Sequence, residues 1–191
     1  MPLGAFLLAL LCLLAPGLPS GSVEVRGTAA TGGKPVQDAV VWLDVPGAAV
    51  RAREDKVVLD QRNLSFAPRV LAVQVGTRIE FPNHDRVFHN VFSFRDGKRF
   101  DLGLYPVGAV KTIPFDQPGL SRVFCNIHPG MAAYIMVVDS PILAVSDRSG
   151  HFTLPDVPQG TFVYHAWRPG GTILNGSVSV HPGAVLDIQW P

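Results

Sequence analysis

Short runs of Val, Ile, Leu and Phe, punctuated by Gly, Pro and Asp, recur along the chain beyond its first twenty-odd residues. Apolar and polar positions alternate within these runs. Val73, Val75, Ile79 and Phe81 share one parity, and Gln74, Arg78 and Glu80 share the other, which is the period of a half-buried strand interrupted at Gly76-Thr77. Further strands are expected over 88–94, 110–115, 121–126 and 132–139, with turns at Asp96-Gly97, Gln117-Pro118-Gly119 and Pro129-Gly130 between most of them. Upstream, Val23 to Thr28 and Gly32 to Leu43 read as two strands joined by a Gly-rich turn, followed by a polar connection from Pro46 to about Lys56. A third stretch of short strands runs from Pro141 to Trp190. Helical periodicity is almost absent, so the chain is expected to be all-β and built of sandwiches.

The opening segment breaks this pattern. Residues 3–15 are continuously apolar, and Pro16 to Ser22 supply small, turn-forming residues. Such a run is too short for a bilayer of about 30 Å and reads as an export signal over residues 1–22, although no Lys or Arg precedes it. Cys12 lies inside the run behind the bulky Leu11, which argues against lipid attachment there. No other segment is apolar enough to insert in a membrane, so the mature protein is expected to be soluble and periplasmic or secreted.

Length and composition fit a folded chain. Its 191 residues suffice for one domain of about 150 or two smaller ones. A 47% hydrophobic and 16% charged composition supports ample core, and a net charge of +1 gives no reason to expect nucleic-acid binding.

With the signal removed, one cysteine remains, in Cys125-Asn-Ile-His128-Pro-Gly-Met131, with His89-Asn90 in an earlier apolar segment. A lone cysteine cannot form an internal disulfide. A sulfur with imidazoles and a weak thioether is the donor set of a blue-copper centre. Taken singly, Cys125 and Met131 also read as core residues, and zinc takes Cys and His, though structural zinc usually has four such ligands. His84 competes with His89; an offset of five places them on opposite faces of a continuous strand, and His84 reads as a solvent-side loop residue. His151, His165 and His181 read as exposed or satisfied sandwich residues, and Trp42, Trp167 and Trp190 as core or edge aromatics. No paired carboxylates suggest hydrolysis, and the His-x-His pairs of multinuclear oxidases are missing.

The segment from Phe81-Pro-Asn-His-Asp-Arg-Val-Phe-His89-Asn90-Val91 through Cys125-x2-His128-x2-Met131 resembles cupredoxins of the plastocyanin and amicyanin group over about residues 56–139. The chain is also similar to bacterial plastocyanin-like proteins grouped under a methylamine-utilisation name. This resemblance implies a Greek-key β-sandwich with one type 1 copper, held by His89, Cys125 and His128 as trigonal ligands and Met131 as the long axial one. It implies that Asn90 hydrogen-bonds the ligand loop, that Pro129 stiffens it, and that Phe88 with the Pro129-Gly130 tip forms an apolar collar around the His128 edge. A second resemblance, carried by Val25-Arg-Gly-Thr…Lys34-Pro-Val-Gln-Asp-Ala-Val-Val and by Ser146-Asp-Arg-Ser-Gly-His-Phe-Thr-Leu-Pro-Asp-Val-Pro-Gln-Gly-Thr-Phe, is to transthyretin-like, or carboxypeptidase-regulatory-like, sandwiches. It implies a copper module over 55–139 inserted in a discontinuous sandwich made of 23–48 and 140–191, the two sandwiches packed together. The function so implied is single-electron transfer between transient redox partners, without enzymatic turnover. A copper carrier or sensor, and an interaction module with structural copper, are the alternatives.

Overall fold

The computed structural model describes residues 21–48, 56–94 and 96–191; residues 1–20 of the predicted export signal and most of the 46–56 connection lie outside them, and Ser22, the last residue of that predicted signal, opens the first strand. Every regular element among the described residues is a strand. No helix there is long and apolar enough to cross a membrane.

Two pairs of sheets form. In the first pair, Ser22–Thr31 lies between the antiparallel His151–Pro158 and the parallel Val185–Trp190. Facing it, Leu143–Val145, Val40–Asp44, Gly160–Trp167 and Leu174–Val180 follow one another in that order. Val25, Val41, Leu43, Leu154, Ile188 and Trp190 fill the space between. Chain from before residue 45 and after residue 142 therefore builds one core together. Two buried serines stitch these segments: Ser146 Oγ accepts from Ala39 N–H at 2.9 Å and donates to the Val36 carbonyl at 2.7 Å, and Ser140 Oγ donates to the Leu43 carbonyl at 2.6 Å.

The second pair comes from the middle of the chain. A five-stranded sheet runs in the order Phe100–Tyr105, His89–Ser93, Gly119–Phe124, Ala132–Val138, Val70–Gln74. The opposing sheet has Val110–Phe115, Thr77–Pro82 and Val57–Val58. Phe81, Phe115, Ile79, Val91, Val123 and Ile135 are fully buried between them, and Cys125 and Met131 belong to the same cluster.

Two expectations change. The alternating stretch from Val73 to Phe81 is two strands in opposite sheets, divided where Gly76 takes φ 87° and the chain crosses the sandwich. Likewise Gly32-Gly33 joins Ser22–Thr31 only to the short Lys34–Pro35, and Val40–Asp44 lies in the opposite sheet. In both places inward-facing residues of two sheets look alike in sequence, because both sheets point them at one core.

The two sandwiches meet over a third apolar cluster. Met136, Val138 and Val70 on the outer face of the five-stranded sheet pack against Val40 and Trp167, with Tyr134 edge-on to Trp167 at a centroid distance of 5.3 Å. The strand Ala132–Val138 thus turns Ile135 and Val137 to one core and Met136 and Val138 to the other. Burial on both faces explains why its sequence is an unbroken apolar run.

Close approach at Gly27 ties the first sandwich together. A Cβ there would stand 1.9 Å from the Leu186 carbonyl oxygen and 2.5 Å from the Phe152 ring. Gly27→Ala is expected to cost about 2 kcal/mol or more through forced separation of backbone and ring. A urea denaturation midpoint equal to that of the parent protein would contradict this packing.

Candidate metal centre

Strand geometry sets each donor. The Gly119–Phe124 strand ends one residue before Cys125, and Ala132–Val138 begins one residue after Met131, so the loop between them spans two paired neighbours. Within it Cys125 N–H donates to the Met131 carbonyl and Met131 N–H to the His128 carbonyl, each at 3.2 Å. That folds the loop back and returns His128 to the cysteine. His89 opens the adjacent strand with its side chain on the inward face, on the same parity as the buried Val91.

These three side chains converge. Cys125 Sγ lies 3.8 Å from Nδ1 of His89 and 3.6 Å from Nδ1 of His128, and the two nitrogens are 3.0 Å apart. His89 is 0% exposed and Cys125 8%, while His128 is half-buried at the rim. A first-row ion such as zinc sits about 2.0–2.1 Å from imidazole nitrogen and about 2.3 Å from thiolate sulfur, which in trigonal geometry separates the nitrogens by roughly 3.6 Å and each nitrogen from sulfur by roughly 3.8 Å. The two sulfur–nitrogen distances match an ion of that size, and the shorter nitrogen–nitrogen distance corresponds to an angle narrower than trigonal. No fourth His, Cys or carboxylate joins the group among the described residues. Met131 is 3% exposed and buried in the cluster that contains Cys125.

Other expected residues fall differently. The Asn90 amide donates to Asp101 on the neighbouring strand at 2.7 Å, and its buried Oδ1 has no partner. The expected bond to the ligand loop is replaced by one across the sheet, because Asn90 points out of the face opposite His89. Pro129 and Gly130 are exposed at the loop tip, with Phe88 52% and Ile127 46% exposed nearby in sequence to the two histidines. His84 projects to solvent and meets Asp60 at 3.0 Å through Nδ1. His165 is bonded to Asp44 in the other sandwich and stacks on Trp42, while His151 and His181 are exposed.

Sequence reading missed the residues that hold the histidine side of the site. Asn83, fully buried, donates to the carbonyls of Val87 and Tyr105 at 2.9 and 3.3 Å and accepts from Asp85 N–H at 3.1 Å, which shapes the 83–87 loop. Asp85 Oδ2 then lies 3.1 Å from Nε2 of His89. The Pro-Asn pair before this loop is a turn signal. The partners it finds are tertiary.

No protein-family model and no curated protein matches the chain. Among solved structures it is similar to a purple cupredoxin from Nitrosopumilus maritimus, 23% identical over 44% of this chain and 100% of that one, with a TM-score of 0.39. It is similar to a reduced amicyanin variant, 19% identical over 51% of this chain and 99% of that one, TM-score 0.40. A third similarity is to a copper-containing nitrite reductase from Thermus scotoductus SA-01, 24% identical over 58% of this chain and TM-score 0.43. This chain spans only 28% of that reductase.

Tyr105, paired across the strands with His89, is buried in the same core cluster as Cys125. Its hydroxyl accepts from Gln61 Nε2 and donates to the Phe81 carbonyl at 3.1 Å. Burial pushes its pKa up, the Gln61 bond works against the rise, and the Cys125 charge adds to it. The unfolded tyrosine ionises near pH 10, so above that the unfolded chain holds fewer protons and stability falls as pH rises. Stability measured by urea denaturation is expected to decline beyond about pH 10. In Tyr105→Phe that alkaline decline should flatten, with about 1–2 kcal/mol lost at neutral pH from the broken hydrogen bonds. An unchanged alkaline slope would refute the assignment.

Proposed function

We propose that the chain is an exported mononuclear type 1 copper protein that carries single electrons between redox partners. His89, Cys125 and His128 would be its near-trigonal ligands and Met131 its weak axial one. The observation that carries this reading is the convergence of one sulfur and two imidazole nitrogens within 3.0–3.8 Å on a mostly buried floor. Structural zinc takes four Cys or His ligands, whereas here a thioether stands beside one thiolate and two imidazoles, and that set matches copper. Bound there, copper would supply a one-electron couple between Cu(II) and Cu(I).

The protein's part is to hold its donors still. Cys125 and Met131 are tied by the loop's own backbone bonds between two paired strands, and His89 is immobilised on a third. A set fixed in this way needs little rearrangement when its charge changes. His128 alone stands at the rim, beside the exposed Ile127 and Pro129. An apolar edge of that kind suits the small interfaces and brief encounters of redox partners. Complete burial of His89 favours a retained metal over one passed to an acceptor. The pairing of Val40–Asp44 with Leu143–Val145 and Gly160–Trp167 supports reading residues 55–139 as a copper module inserted in a discontinuous, transthyretin-like sandwich of 23–48 and 140–191.

Titrating Cu(II) into the purified mature protein tests this. An intense visible thiolate-to-copper band, a small copper hyperfine splitting in the EPR spectrum and reversible one-electron voltammetry are expected, all lost in Cys125→Ser. A colourless protein that binds zinc tightly and leaves copper unbound would overturn the reading.

A further inference from the structure

We propose that Asp85 is a positioning residue for His89, and that the tip of the hairpin formed by Asp60–Arg62 and Ser65–Ala67 holds Asp85 in place. The carboxylate would then fix Nε2 of His89 as the N–H donor and leave Nδ1 free to face Cys125 and His128.

Two backbone N–H groups and an imidazole nitrogen meet on this carboxylate. Oδ2 accepts from Leu64 N–H at 2.7 Å and lies 3.1 Å from His89 Nε2, and Oδ1 accepts from Arg86 N–H at 2.9 Å. Both oxygens of Asp85 already accept backbone N–H groups, so the imidazole is the donor in the third contact and the hydrogen lies on Nε2. A carboxylate behind a histidine ligand orients the ring and raises its basicity.

The hairpin tip gives the independent observation. Asn63 and Leu64 both have positive φ, 52° and 56°, in a two-residue turn. Asn suits such a turn, whereas Leu does not, and here it is 52% exposed, so packing of its side chain does not explain the conformation. What the conformation delivers is the Leu64 N–H, aimed at Asp85 from 21 residues upstream. Backbone strain kept beside a group of ligands points to a role in holding that group. A second tie runs along the same hairpin, where His84 N–H donates to the Gln61 carbonyl at 3.0 Å. The hairpin is thereby a strap over the loop that carries Asp85.

The proposal concerns the apo protein first, and its consequences for copper rest on the reading of the site given above. Proton NMR of the metal-free protein should show a downfield, slowly exchanging Hε2 resonance of His89. That resonance should move upfield and exchange faster in Asp85→Asn, vanish in Asp85→Ala, and shift toward the Asp85→Asn position in Leu64→Pro, which removes the clamping N–H together with the positive-φ turn that delivers it. In the copper-loaded protein, Asp85→Asn should weaken Cu(II) binding about 10- to 100-fold. It should also raise the midpoint potential, because losing a nearby negative charge disfavours the more highly charged ion. A purely structural role would lower the thermal midpoint and leave the resonance and potential where they were. An Hε2 resonance unaltered in both Asp85 variants would overturn the proposal. If the resonance responds but the parent protein takes up no copper, the copper reading fails and the positioning role stands.

Discussion

The strand Ala132–Val138 is buried on both faces, and most of the architecture follows from that constraint. One face completes the core in which Cys125 and Met131 sit, and the other supplies Met136 and Val138 to the contact between sandwiches. Such a strand cannot shift register by one residue without exchanging its two apolar sets between two differently shaped cores. Its start is therefore fixed, and so is the end of the loop that carries the candidate ligands. A metal-site loop needs anchors of this kind, because it has little core of its own.

Seen this way, the second sandwich has a mechanical role. It covers part of the outer face of the five-stranded sheet, which would otherwise expose Met136, Val138 and Val70. The end that carries Cys125, His128 and the exposed Ile127 lies beyond that covered region, at the far side of the Ala132–Val138 strand's N-terminus. Rigidity and access are thus separated along one strand: packed at its middle, open at the loop before it.

The histidine side of the site is built on a different principle. His89 is held by polar bonds more than by packing, through Asp85, Asn83 and the tip of a strained hairpin. Asn83 is buried and Asp85 half-buried, and both are satisfied by backbone partners, which is the condition under which polar contacts rigidify a structure. The two halves of the candidate centre therefore come from separate stretches of chain and are fixed by separate physics.

The alternating strands, the all-β class and the Cys125–His128–Met131 spacing were legible in the sequence because each is local: period two, turn residues and a short loop are written in neighbouring positions. His89 was legible through the His-Asn pair it opens. The split of Val73–Phe81 between two sheets was not, since inward positions of facing strands share one composition. The partner of Asn90 was not, because Asp101 is reached only across the sheet. Nor was Asp85, an ordinary loop acid until a hairpin far upstream brings Leu64 N–H against it. The sequence alone determined which residues alternate and which can bind a metal. Tertiary structure decided which of them meet, because hydrogen bonds and donor convergence are distances between segments that the order of residues does not encode.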